Sequence, residues 1–295
     1  MNTFASGHWI GVPQFVISWA ITYREDWLKE AGFEYPKTWD DFRKVGRAMK
    51  AKGKPFGQAF GHSINDPNNW CYPMVWMWAA PRCDTDGRSV VLNSKNTRRG
   101  REVQQHAVEG SASTRAASAW DDSNNNRAFL SSEISLTGNA PSIYVAARQK
   151  FPDVYKGTNH GHYPPGPAGR LLLAAGVELG RDEVLARTRR SPRTSSASTW
   201  TARGSIPTSR RMDTFGIPGT QAYRDNPLWK KDPKTAVFRR HCRRRGRWAT
   251  PGRPAARPPR CCRKYIIVDM FAKAIQGMKP EDAVAWASRR AEESL

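Results

Sequence analysis

Aromatic rings and small polar side chains recur together in this sequence, a combination of flat apolar faces with hydrogen-bonding groups. Trp19, Trp70 and Trp78 offer flat π faces, Asn69 directly precedes Trp70, and Asn139 lies in a Gly-Asn-Ala-Pro stretch. Asp213 and Phe215 again set a polar group beside a ring. Aromatic faces take flat apolar C–H patches of a ligand, while Asn and Asp bond to hydroxyl or amide groups. Each residue also has a plainer use. Tryptophan is readily buried in cores, Trp76 between Val75 and Met77 above all. Asn139 equally suits a turn that needs left-handed backbone.

Nothing in the chain points to covalent or acid–base chemistry. The GxSxG, phosphate-loop, HExxH and GxGxxG patterns are absent from the sequence, so no enzyme is expected. His160-Gly161-His162 sits in a Pro/Gly-rich stretch without a nearby Cys or carboxylate. That setting predicts a solvated loop rather than a metal site. Cys71, Cys83, Cys242, Cys261 and Cys262 form no CxxC pair, and neither a metal nor a cofactor is expected. The arginine run from Arg239 to Arg247 would grip phosphate backbones if exposed. It keeps a basic nucleic-acid-binding protein open as the alternative, although no Phe or Tyr is interleaved for base stacking.

The elements that must position these groups follow from hydrophobic periodicity. Trp9 to Tyr23 is apolar and β-branched, which predicts a buried strand crossing a core. A short helix is expected from Arg24 to Ala31, stopped by Gly32. Thr38 and Asp41 form a capping box, Phe42, Val45 and Met49 recur at helical spacing, and Gly53 supplies the stop. Asn124 to Ser131 should form a helix, Ile134 to Thr137 a strand, and Gly138 to Pro141 a turn before a further helix. Residues 157–169 read as a Pro/Gly loop. An apolar helix ends near Gly277, and a last helix begins at Pro280.

Charge divides the chain into two kinds of sequence. The formal net charge is +22, and three stretches, 98–119, 171–211 and 239–263, hold 22 arginines and no lysine. Their only large aromatics are Trp200 and Trp248, while all 15 lysines lie elsewhere. Such stretches bury too little apolar area to offset the entropy of ordering, which predicts disorder. Out-of-frame reading of GC-rich coding sequence yields this composition, so the three stretches are read as frameshifted. Codons can be chosen for Arg99–Ser111 and Leu171–Leu185 whose shifted frame restores lysine- and aromatic-bearing segments.

The lysine- and aromatic-bearing blocks resemble the family 1 extracellular solute-binding proteins, the sugar-binding components of bacterial carbohydrate ABC importers. The resemblance rests on Gly11–Phe33, Pro36–Phe42, the Trp-rich run ending at Trp78, Phe129–Tyr144, Asp213–Tyr223 and the terminal helix pair, in that order. It implies an α/β, two-lobed periplasmic-binding-protein-like fold of class II, here incomplete and with disordered Arg-rich segments. It further implies that Trp19, Asn69, Trp70, Trp78, Asn139, Asp213 and Phe215 line the cleft between the lobes. The expected partners are a carbohydrate ligand and an ABC transporter membrane permease. No specific nucleic acid is expected, and the chain should be a monomer.

Two departures qualify what the resemblance implies. Much of the first lobe that members carry before the crossing strand is absent, so the chain reads as truncated. Residues 1–169 are expected to hold the crossing strand and most of one lobe, with 98–119 doubtful. Residues 170–211 should be out of frame and disordered. Residues 212–295 should supply C-terminal lobe and hinge pieces lacking partners, with 239–263 doubtful. Sugar capture is therefore expected to be impaired. The family implies a periplasmic location. No basic region followed by an apolar run opens this chain, so it would stay in the cytoplasm as written.

Overall fold

A computed structural model describes residues 4–5, 8–9, 11–63, 67, 70–71, 92–93, 119–166, 173–180, 217–218, 232–238 and 265–293. In chain order the principal elements begin with β1 (Gly11–Arg24), α1 (Glu25–Glu30), α2 (Trp39–Ala51) and α3 (Asn124–Leu130). They continue with β2 (Leu136–Asn139), α4 (Ser142–Lys150), α5 (Pro152–Gly157) and β3 (Thr158–Gly161). Then come β4 (Leu173–Gly180), β5 (Ile217–Pro218), α6 (Ile266–Ile275) and α7 (Pro280–Glu292). The expectations attached to 98–118, 181–211 and 239–263 lie outside the described residues.

β1 organises the molecule. At 14 residues it is well over twice the usual length of about 5–6 residues, and it is shared by two sets of partners. From Gly11 to Trp19 it runs antiparallel to β4, with β5 opposite Phe15 and Val16. From Ala20 to Arg24 it lies between β2 and β3, antiparallel to both. The handover falls between Trp19, opposite Leu173, and Ala20, opposite Asn139. One strand thus passes from one sheet region into the next, as a two-lobed α/β fold with a crossing strand requires. Near its start the register slips, because Pro13 faces Glu178 while Phe15 faces Val177. Gln14 is the extra residue of this bulge, beside a proline that cannot donate to a ladder.

Both faces of the second half of β1 are covered. Trp19, Ile21 and Tyr23 enter a large apolar cluster with Leu28 of α1 and Phe42, Val45 and Met49 of α2. The intervening Ser18, Ala20 and Thr22 are completely buried on the opposite face. α2 forms as its sequence dictates. Thr38 Oγ1 accepts from the Asp41 N–H and Asp41 Oδ2 accepts from the Thr38 N–H, each at 3.1 Å. The chain leaves the helix through Gly53 at φ +70°.

Four expectations need correction. Residues 170–211 were expected to be disordered, yet Leu173–Gly180 forms β4 along the first half of β1. The ladder uses backbone groups, which a Gly/Ala-rich stretch supplies as well as any other. Second, the C-terminal helices do not lack partners. Ile266, Val268, Phe271, Val284 and Ala287 belong to the same buried cluster as Phe42 and Trp70, and the two helices pack on each other. Third, Gly138 and Asn139 are the end of β2 rather than a turn, because Ile21 and Ala20 pair with them. Fourth, His160 is not in a solvated loop. It lies in β3 opposite Thr22 and is 8% exposed.

Candidate functional site

Two glycines flank Ile21, Gly138 on β2 and Gly161 on β3, and aromatic rings occupy the space their missing side chains leave. Tyr35 covers Gly161, where a Cβ would stand 2.1 Å from the ring. Around Gly138 three side chains converge. A Cβ there would lie 2.5 Å from the Tyr163 hydroxyl, 2.8 Å from Trp70 and 3.1 Å from Gln58 Oε1. Only glycine admits so close an approach. The Trp70 and Tyr163 rings are tilted by 54° with centroids 5.5 Å apart, and Phe42 backs Trp70 at 6.3 Å.

Gln58 closes the outer edge of β2. Its Oε1 accepts from the Gly138 N–H at 2.9 Å and from Thr137 Oγ1 at 3.4 Å. Its amide nitrogen is buried without a hydrogen-bond partner, and so is the indole nitrogen of Trp70. An unmade bond of this kind costs about 1–3 kcal/mol, and buried polar groups are normally paired. Two buried N–H donors, among several buried polar atoms without a partner, thus lie near an aromatic pair and a bare glycine. Gln58, Trp70, Tyr163 and Gly138 carry no formal charge, so the arrangement suits a neutral ligand rich in acceptor oxygens.

The residues singled out from the sequence are distributed unevenly over this geometry. Trp19 and Trp70, 3% and 4% exposed, share one apolar cluster, and of the two it is Trp70 that abuts Gly138. Asn139 faces the other side of the sheet with Ala20. Its Nδ2 donates to Asn126 Oδ1 and its Oδ1 accepts from Ser142 Oγ at 3.0 Å, which ties the end of β2 to the first residue of α4. Asn69, Trp78, Asp213 and Phe215 lie outside the described residues. Gln58 and Tyr163 were not foreseen. A lone Gln within the Phe56–Phe60 apolar run was the signal for the first, and Tyr163 was hidden by the prolines that follow it.

A second polar centre lies on the opposite face of the sheet. Asp232 accepts hydrogen bonds from the Tyr144 hydroxyl at 2.8 Å and from the Tyr155 hydroxyl. Its other oxygen accepts from the Lys234 N–H at 2.9 Å. Partial burial would raise its pKa, but the bonds from Tyr155, the Lys234 backbone and Tyr144, with the Lys234 charge, bring it below the ordinary carboxylate range. Burial, then the Asp232 carboxylate, pushes Tyr155 up to about 12 and Tyr144 higher still. His160, ring centroid 4.9 Å from Phe238 and 5.7 Å from Tyr144, is pushed down to about 3. Burial is the main cause, and the Lys234 charge adds to it.

The matches to known proteins fit this geometry. A family model described as "Bacterial extracellular solute-binding protein" matches residues 1–170. A curated Deinococcus radiodurans protein named "Probable ABC transporter-binding protein" is 21% identical over 183 residues, 59% of this chain and 43% of that protein. The chain thus spans less than half the length of that relative. Among solved structures, the maltose-bound MalE3 of T. maritima superposes with a TM-score of 0.75 at 16% identity, over 99% of this chain and 74% of that one. A sugar transporter from Arthrobacter chlorophenolicus A6 with bound laminaribiose gives 0.71 at 13% identity, over 99% and 73%. These likenesses show the shared two-lobed α/β fold. Among the described residues no helix is long and apolar enough to cross a membrane, and no three His, Cys, Asp or Glu side chains group as metal ligands.

Proposed function

This chain belongs to the bacterial extracellular solute-binding protein family, and on that premise we propose that it captures a sugar between its lobes and presents it to an ABC transporter permease. The observation that supports sugar capture most directly is the pair of buried, unpartnered N–H donors of Gln58 and Trp70 beside the Trp70–Tyr163 ring pair. Sugar hydroxyls are neutral acceptors with apolar C–H faces between them, which is what this set lacks and can hold. Capture requires lobe closure, not bond making, and we propose no catalytic step. Trp19, Asn69, Trp78, Asp213 and Phe215 remain proposed contributors to the cleft. A monomer in the periplasm is the setting in which such capture operates.

We further propose that capture is weak in this chain, because 171–211 and 239–263 carry the arginine-rich composition in place of aromatic cleft walls. Titration calorimetry against neutral mono- and disaccharides, maltose and laminaribiose included, is expected to give millimolar dissociation constants. Micromolar binding would retain capture but overturn the impairment. The nucleic-acid alternative finds no support in the family or the fold. Sequence-selective DNA binding combined with no response to any sugar would revive it, whereas salt-sensitive binding without selectivity would report arginine charge alone.

A further inference from the structure

The segment Asp232–Phe238 is attached to the sheet at the place where β1 changes partners. Val237 and Phe238 form a small buried cluster with Ala20, the first residue of β1 paired with β2. Trp19, immediately before it, is the last residue paired with β4. Whatever bends β1 between its two sets of partners must therefore move Ala20 relative to Val237 and Phe238, or carry them along. Phe238 is fully buried there and also contacts His160 of β3, with ring centroids 4.9 Å apart.

The front of the same segment is held by polar contacts rather than by packing. Asp232 takes hydrogen bonds from the hydroxyls of Tyr144 in α4 and Tyr155 in α5. Lys234 reaches back over the Tyr155 ring at 4.5 Å, and its ammonium donates to the backbone carbonyls of Tyr155 and Lys156 at the end of α5. Thr235 Oγ1 donates to the Asp232 carbonyl at 2.7 Å, which closes the turn. Two side chains within three residues, Asp232 and Lys234, thus bind one short segment to α4 and α5, both on the Ala20–Arg24 side of the handover. Charge-assisted bonds of this type are directional and roughly twice as strong as neutral ones, and a short turn so held has one seat.

We propose that Asp232 is a positioning residue for lobe movement: its bonds to Tyr144 and Tyr155 clamp residues 232–238 onto the pivot of β1 and fix the side of the hinge that stays rigid. This rests on the reading of the chain as a solute receptor that closes. Its test needs no ligand, so its failure and the failure of sugar capture are separable. Hydrogen–deuterium exchange on the full chain supplies the readout. In a Tyr144→Phe/Tyr155→Phe variant, which keeps both rings, amides of 232–238 and of 19–22 are expected to exchange about tenfold faster. Those of α2, on the same side but remote from the clamp, should be unchanged. Equal acceleration in α2 would mean a general loss of stability and would overturn the proposal, as would no change anywhere. Should the double variant fail to fold, Tyr155→Phe alone, at the more exposed hydroxyl, carries the same test with about threefold acceleration confined to the same two segments. Asp232→Asn, which keeps an acceptor, should fall between the wild type and Asp232→Ala. If the two substitutions behave alike, the carboxylate is not the clamp.

Discussion

His160 makes stability fall on mild acidification, and the size of the effect can be worked out. Its ring lies between Tyr144 and Phe238 in a strand that is covered on that face, and it is 8% exposed. Burial and the nearby Lys234 charge lower its pKa from 6.5 to about 3. The folded chain therefore keeps this imidazole neutral at pH 5, while the unfolded chain protonates it. Because the folded value is the depressed one, the contribution is complete above pH 6.5 and is lost as pH falls from there towards 3. Between pH 7.5 and pH 5.0 the loss is about 2 kcal/mol, and it reaches about 4 kcal/mol at pH 3. The residue must be removed to separate its contribution from those of other groups. His160→Leu is apolar and similar in volume. Urea unfolding followed by tryptophan fluorescence at the two pH values should show a wild-type loss about 2 kcal/mol larger than that of His160→Leu. Equal losses in the two proteins would refute the assignment of His160 as a buried neutral base.

Three further outcomes follow from the same geometry. Ser132 stands at φ 63°, a left-handed conformation that costs a non-glycine residue about 1–2 kcal/mol. Its hydroxyl also accepts from the buried Arg24 guanidinium at 3.0 Å, a bond to a charged group contributing about 1.5–3 kcal/mol. Ser132→Gly should therefore lower stability by about 1 kcal/mol in thermal or urea unfolding, whereas Ser132→Ala, which keeps the strain and loses the bond, should cost about 2–3 kcal/mol. Gly138→Ala places a Cβ 2.5 Å from the Tyr163 hydroxyl and 2.8 Å from Trp70. It should destabilise by about 1–3 kcal/mol, as overpacking does, and weaken sugar binding in calorimetry further still. Trp70→Phe removes an N–H that makes no bond in the free protein. Stability should fall by about 1–3 kcal/mol, as a large-to-small core change does, while affinity for the tightest sugar of the panel should fall about tenfold.

Elements whose determinants lie within a turn or two of themselves were legible in the sequence. The Thr38–Asp41 capping box, the α2 stripe of Phe42, Val45 and Met49, and the stop before Gly277 each depend on neighbours a few residues away. The long apolar strand was legible too, within one or two residues at each end. What failed was anything set by pairing across the chain. Asn139 was read as part of a turn because Gly-Asn-Ala-Pro is turn chemistry. The partner that overrides that preference is Ala20, over a hundred residues earlier. His160 was read as solvated because glycines and prolines surround it, but β1 recruits Thr158–Gly161 as a neighbour and buries the ring. β4 was invisible because a ladder needs no particular side chains.

The same logic explains why the candidate site was only half seen. Tryptophans are conspicuous in a sequence whether they bind or merely pack, and Trp19 turned out to lie in the apolar cluster with little surface left. The groups that distinguish binding from packing are the unsatisfied ones, and satisfaction is a property of the folded chain alone. Gln58 is an ordinary polar residue until Gly138, 80 positions away, takes one of its oxygen's bonds and leaves its nitrogen without a partner. Gly138 in turn is informative only once Ile21 places it where three side chains converge. On the proposed reading, a strand shared by two sets of partners serves two purposes: it joins the parts that would close, and it brings to one place the donors and rings on which they would close.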